Sequence, residues 1–268
     1  MLLSPFTFQQ MLKIVIPRNM TTTVKHLKRA GRNIKFASGG RKGFIRETGD
    51  RVMLVRSMDI PVKVADGNDI GLCGSDCVEE RELELGIKPE VLSEYIYGRK
   101  EFNGPQPTLD LIVPEDDEIT RTRDIEPGTM ILTEHPTLAR LYLEQNGLRV
   151  AILGREERAP KDPGEFRNWC RENGYVGIEI VHGRIAESVW NGEGYGIGVN
   201  ESGKTLIENG LRVLDRLRKI EIQLIADHDA LRDEEKGPEI ESLYRALDRA
   251  IPAVNRESEA TFRRTIER

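Results

Sequence analysis

Apolar positions fall into short runs separated by polar segments bearing glycine or proline, and their spacing predicts strands alternating with helices. Leu12 to Ile16 reads as a buried strand closed by Pro17, and Thr22 to Ala30 as a helix stopped by Gly31. Arg51 to Val55 is a second strand, Ile60 to Ala65 a helical turn begun near Pro61, and Asp69 to Leu72 a strand running into Gly74. A second series starts with strands Leu109 to Val113 and Met130 to Thr133. It continues with a helix from Pro136 to Asn146 closed by Gly147, then a strand from Arg149 to Leu153. Further on, Ile197 to Val199 reads as a strand end and Gly203 to Asn209 as a short helix before Gly210. This alternation predicts an α/β protein with loops at the strand ends.

Three stretches set the expected organisation. Residues 86–107 are rich in glycine, proline and polar groups, and Asn103-Gly-Pro-Gln-Pro reads as a connection at a domain boundary. Arg155 to Gly174 is charged, holds a helix around Glu165 to Glu172, and reads as a solvated insertion. Ile240, Leu243, Leu247 and Ile251 form a helical stripe within Pro238 to Ile251, expected to pack on the first lobe. The predicted division is residues 1–105, completed by a C-terminal helix within 228–268, and a second lobe over 106–227. Residues 1–10 read as a ragged extension and Asn255 to Arg268 as a frayed charged end.

Composition narrows the function classes. The chain has 268 residues, 38% hydrophobic and 32% charged, enough for one large core or two smaller ones. A formal net charge of -5 argues against a broad nucleic-acid footprint and towards a small-molecule ligand. Cys73, Cys77 and Cys170 fit neither a disulfide framework nor the usual zinc spacing, so reduced thiols are expected. The histidines His26, His135, His182 and His228 are scattered and read as structural or surface residues. The opening residues lack a basic region followed by a long apolar run, so a cytoplasmic protein without a membrane span is expected.

The sharpest chemical signal is Gly198 to Leu206, Gly-Val-Asn-Glu-Ser-Gly-Lys-Thr-Leu, a turn opening a helix. The N–H groups of Ser202, Gly203, Lys204 and Thr205 can face one concavity, where a phosphate would sit at the positive end of the helix dipole. Two hydroxyls and the Lys204 ammonium add donors. Gly198-x-x-x-x-Gly203-Lys204-Thr205 also satisfies a Walker A pattern, with Ile222 to Asp227 as a Walker B strand. However, only 63 residues follow Thr205, too few for the usual nucleotide-binding sheet, and a purely structural turn is the other alternative.

A separate region bears on that choice. Arg56-Ser-Met-Asp59-Ile60-Pro61, then Val64, Gly67, Asp69, Gly71, Gly74, Asp76 and Glu79, resembles the N-terminal signature of the ATP phosphoribosyltransferases, which open histidine biosynthesis. Ile131-Leu-Thr133-Glu-His-Pro136, with Leu138, Arg140 and Tyr142, is similar to a second family segment. Glu201-Ser202-Gly203-Lys204-Thr205-Leu206, followed by Asn209-Gly210-Leu211, resembles the family's phosphoribosyl pyrophosphate loop, and Leu224-Ile-Ala its next strand. With two insertions, the resemblance spans about residues 12 to 250.

The resemblance implies two α/β lobes similar to type II periplasmic binding proteins, a ligand cleft between them and no complete C-terminal regulatory domain. It further implies that N1 of ATP displaces pyrophosphate from C1 of phosphoribosyl pyrophosphate, with Mg²⁺ present. Ser202, Gly203, Lys204 and Thr205 would hold the 5-phosphate. Glu201 and Arg56 are the implied catalytic residues, Glu201 near the ribose hydroxyls or Mg²⁺. Arg18 and Arg41 would join Arg56 on ligand phosphates, with Asp59, Asp69 and Asp76 shaping the nucleotide side near Gly71 and Gly74. The alternative for each aspartate is a cap or turn. A regulatory subunit related to histidyl-tRNA synthetase and a homo-oligomer are the implied partners. The chain departs from the pattern at Arg18-Asn19-Met20, in Gly183 to Glu187, and at Gly198, where the family usually has aspartate. Those departures keep open a paralogous phosphoribosyltransferase with another acceptor, or a non-catalytic sensor of a phosphorylated ligand.

Overall fold

The computed structural model describes residues 11–98 and 105–251; the expectations for residues 1–10 and for the charged end beyond Ile251 lie outside them. The chain begins with β1 (Lys13–Pro17), α1 (Thr21–Arg29), β2 (Ile34–Phe36), β3 (Lys42–Ile45) and β4 (Arg51–Val55). A 3₁₀ turn (Ser57–Asp59) leads to α2 (Ile60–Ala65), β5 (Ile70–Gly74), α3 (Ser75–Leu85) and β6 (Glu90–Tyr95). Next come β7 (Thr108–Pro114), β8 (Met130–Thr133), α4 (Pro136–Gln145), β9 (Val150–Ile152) and α5 (Pro163–Asn173). After β10 (Val176–Ile180) and α6 (Ile185–Trp190) follow β11 (Tyr195–Asn200), α7 (Lys204–Glu208) and β12 (Leu211–Lys219). The described chain ends with β13 (Ile222–Ala226), α8 (His228–Arg232) and α9 (Lys236–Ala250).

Two sheets divide the chain into two units. The seven-stranded sheet has the order β2-β3-β4-β1-β5-β13-β6, and the six-stranded sheet β12-β7-β11-β8-β10-β9. Among the described residues, the first unit runs to Arg81, resumes at Ile87 and takes everything from Glu221; the second holds Glu82–Gly86 and Pro105–Ile220. The predicted boundary at residue 227 therefore moves back. β13 leaves the second lobe because it pairs antiparallel with both β5 and β6 of the first sheet.

In the first unit β4, β1 and β5 run parallel; β1 and β5 are buried and read as continuous apolar runs, while β4 is only partly buried. Alternate residues serve opposite faces. Ile14, Ile16, Leu72 and Leu224 pack with Leu27 of α1 and Ile240, Leu243 and Leu247 of α9. Val15, Cys73 and Ile225 pack with Ile60, Val64, Cys77 and Val78 on the other face. The stripe predicted on α9 is thus the one that closes this core. Gly71 is small for a local reason: a Cβ there would stand 2.6 Å from Ile60 Cγ2 of α2. Asp69 is structural too, its carboxylate accepting the Lys13 N–H at 2.6 Å and Lys236 Nζ at 2.8 Å.

In the second unit β8, β9, β10 and β11 are parallel, and β7 is antiparallel to β11 and β12. The segment expected to be a solvated insertion is part of this fold. Asp162 caps α5 by accepting the N–H groups of Gly164 and Glu165, and Gly174 ends it in the left-handed region at φ 74°. Its Phe166 and Cys170 are fully buried with Met130 and Ala151. The 86–107 stretch is likewise more than a connection, since it holds β6 and the buried Tyr95 and Tyr97. All three cysteines are buried and outside any disulfide, and no described helix is long and apolar enough to cross a membrane.

Candidate active site

The 198–206 turn lies at the carboxyl end of β11, where open α/β sheets present their ligand loops. Gly203 stands just before α7 with φ 70°, a conformation glycine adopts without steric cost. One predicted donor is corrected. The Gly203 N–H is already committed, donating to Asn200 Oδ1 at 2.8 Å, because an asparagine three residues upstream folds back over the bend. The Lys204 N–H lies 3.5 Å from Ser202 Oγ, a long contact. The first N–H groups of a helix have no intrahelical acceptor, so those of Lys204 and Thr205 are the backbone donors that an anion at this turn would meet. The Ser202 and Thr205 side chains are exposed beside them, and Glu201 is partly buried. Lys204 Nζ stands 3.7 Å from Glu208 Oε1, an exposed pair that an incoming phosphate can outcompete.

Beneath the turn is a feature that no local pattern announces. Asn200 Nδ2 donates at 2.8 Å to Asp110, whose residue is fully buried in β7. Arg216 Nε of β12 donates to the other carboxylate oxygen at 3.3 Å. The only signal in the sequence is a charged residue in the otherwise apolar run Leu109 to Val113. Gly198 lies directly opposite Asp110 in the ladder, and a Cβ at Gly198 would meet Ile185 Cδ1 of α6 at 3.1 Å.

The first-unit residues named from the sequence collect at the carboxyl edge of its parallel strands. Arg18 directly follows β1 and donates its N–H to the Val55 carbonyl at the end of β4. Arg56 is the next residue after Val55, and the Arg41 carbonyl accepts from Leu54 N–H at 2.8 Å. Three arginines far apart in sequence thereby share one strand end, and all are exposed. Asp59 ends the 3₁₀ turn and precedes α2 without a side-chain capping bond, so the capping alternative finds no bond there. Gly74 closes β5 at the same edge, and Asp76 is buried in the first turn of α3.

Other motif residues serve the scaffold. Thr133 Oγ1 accepts the His135 N–H at 2.9 Å before α4. Tyr142 Oη lies 2.7 Å from Thr122 Oγ1 and donates to Asp215 Oδ2 at 2.5 Å; burial, then the Asp215 bond, holds the phenol well above its usual pKa. Arg140 pairs with Glu144 on the exposed side of α4. In the altered 183–187 segment, Arg184 takes φ 57° and its Nε lies 3.6 Å from Glu187 Oε2, both side chains exposed.

Two α/β units, each built on its own sheet, define a two-lobed scaffold of the binding-protein type. Solved structures share it. The ATP phosphoribosyl transferase (HisG:HisZ) complex from Thermotoga maritima aligns with a TM-score of 0.62 at 20% identity, over 89% of this chain and 100% of that one. The alkanesulfonate-binding protein SsuA from Xanthomonas axonopodis pv. citri, bound to MOPS, aligns at 0.52 and 10% identity, over 94% of this chain and 77% of that one. In sequence, residues 56–160 match the family described as HisG: ATP phosphoribosyltransferase. The ATP phosphoribosyltransferase of Methanosarcina mazei is 28% identical over 243 residues, 88% of this chain and 71% of the relative. That of Methanocaldococcus jannaschii is 30% identical over 230 residues, 84% of this chain and 66% of the relative. The chain belongs to the ATP phosphoribosyltransferase family.

Proposed function

We infer that this chain is a phosphoribosyltransferase that condenses ATP with phosphoribosyl pyrophosphate, the first step of histidine biosynthesis. The observation that carries the reading is the Glu201-Ser202-Gly203-Lys204-Thr205 turn at the carboxyl end of β11, in a chain of this family. In the reaction, N1 of the adenine forms a bond to C1 of the ribose as the C1–O bond breaks. Pyrophosphate departs with the electron pair.

The residues fall into two tasks. The N–H groups of Lys204 and Thr205, the hydroxyls of Ser202 and Thr205 and the Lys204 ammonium hold the 5-phosphate, while Glu201 orients the ribose. Arg18, Arg41 and Arg56 take the remaining phosphates, and Asp59, Gly74 and Asp76 border the nucleotide. Fixing two polyanions in line and screening the leaving group supplies most of the rate.

The donor set suits a Mg²⁺ that arrives on the pyrophosphate. At the turn Glu201 is the carboxylate proposed to meet it, position 198 being glycine and Asp110 buried under the turn, and Mg²⁺ commonly binds through one carboxylate plus substrate phosphates. When bound, the ion neutralises charge on the departing pyrophosphate. A regulatory subunit, of the kind present in the Thermotoga complex, is proposed as the partner.

Incubating the purified protein with phosphoribosyl pyrophosphate, ATP and Mg²⁺, alone and with a candidate regulatory subunit, is expected to yield N1-phosphoribosyl-ATP by mass spectrometry. Sugar-phosphate binding with no such product in either setting overturns the reading and assigns another acceptor.

A further inference from the structure

Asp110, Asn200 and Arg216 carry no part of the chemistry above, yet they meet under the turn. An Asn side chain has a donor end and an acceptor end, and an ionised carboxylate can only accept. Asp110 therefore fixes which way the Asn200 amide is turned: Nδ2 towards the carboxylate at 2.8 Å, Oδ1 towards the Gly203 N–H at 2.8 Å. Reversed, the amide would set its NH₂ against the Gly203 N–H and its oxygen against Asp110, two repulsive contacts in place of two bonds. Arg216 supplies the countercharge that makes a fully buried carboxylate tolerable, at 3.3 Å and from a side chain itself 57% exposed.

The register gives the arrangement a second meaning. Residues directly opposite in an antiparallel pair project from the same face, and Asp110 opposes Gly198. Here the carboxylate stands on β7 rather than at position 198, out of reach of solvent and in contact with the residue that shapes the turn.

We propose that Asp110, backed by Arg216, is a positioning residue for phosphoribosyl transfer, presetting the 5-phosphate turn through the Asn200 amide and Gly203. The proposal rests on the phosphoribosyl pyrophosphate reading of the turn. Two observables separate it from a role in folding alone: the exchange rate of the Gly203 amide, and the division of effect between the two substrates.

Asn200→Leu keeps the approximate volume and removes both bonds, while Asp110→Asn keeps the shape and lets the amide turn. Each is expected to speed exchange of the Gly203 amide by about tenfold, and to raise the KM for phosphoribosyl pyrophosphate by a similar factor with the KM for ATP within about twofold. If Asp110 acts through Asn200, the double variant will be no worse than Asn200→Leu. Near-UV circular dichroism verifies folding, and Asn200→Ala replaces the leucine if that is not accommodated. Gly203 exchange and phosphoribosyl pyrophosphate affinity both unchanged in a folded Asn200 variant overturn the proposal, as do multiplicative effects in the double variant. Calorimetry with phosphoribosyl pyrophosphate alone keeps the two readings apart: wild-type protein that binds it without making product overturns the reaction, while the exchange and affinity ratios still test Asp110.

Discussion

Gly198 is where the chain departs most visibly from its family pattern, and its surroundings supply a physical cause. A side chain there would press on Ile185 of α6 and project beside the buried Asp110. An aspartate at 198 would put two carboxylates directly opposite each other in a ladder, where like charges destabilise. Gly198→Asp alone is expected to lower stability in urea titrations by about 2 kcal/mol, from overpacking and repulsion. Combined with Asp110→Ser, more than half of that loss should return; simple additivity would show that the two positions do not compete. The bend itself was readable from residues 198–206, whereas the shared strand end of Arg18, Arg41 and Arg56 needed the strand pairing. What was not readable is that the buried Asp110, ninety residues upstream, holds the Asn200 amide whose oxygen takes the Gly203 N–H. Hydrogen bonds across a sheet leave no local spacing to find.

Among the elements, α1 shows how tertiary packing outweighs local signals. It has no side-chain N-cap and no acid in its first turn, and it is held by Leu27 and His26 in the first core. The His26 ring lies tilted by 54° against Tyr97, with ring centroids 4.5 Å apart. Burial, then the Arg29 charge, depresses its pKa to about 4. A histidine with a depressed native pKa leaves stability intact above its unfolded value near 6.5. As pH falls from there towards 4, the unfolded chain takes up a proton that the native one refuses, so stability declines by on the order of 2–3 kcal/mol. His26→Gln should remove that portion of the slope; parallel stability–pH curves for the two proteins would show that His26 does not carry it. Elements with a strong pattern, such as α9 and the parallel strands β1, β4, β5, β8 and β9, were legible from sequence, whereas β10 was not. β6 and β12 were not, because edge strands carry polar residues and, in β12, register shifts at Val213/Asp215 and Arg216/Arg218.

On the scale of the whole molecule, the alternation of strands and helices revealed the α/β class, whereas the division of the chain needed strand pairing. All six strands of the second sheet come from residues 108–219, with their own cluster of buried side chains. A fragment spanning 105–220 is expected to fold cooperatively by circular dichroism and to show dispersed amide resonances; a featureless spectrum would show that the first unit is required. The complementary fragment 1–104 cannot do the same, since β13 sits between β5 and β6 and α9 covers the core beside them. Placing that strand after the whole second unit also orders events on the ribosome. The part translated first must wait with a gap in its sheet while the later part closes, so nascent chains would mature from the middle outward, and a chain stalled before residue 222 would expose the edge of β5 to whatever is nearby.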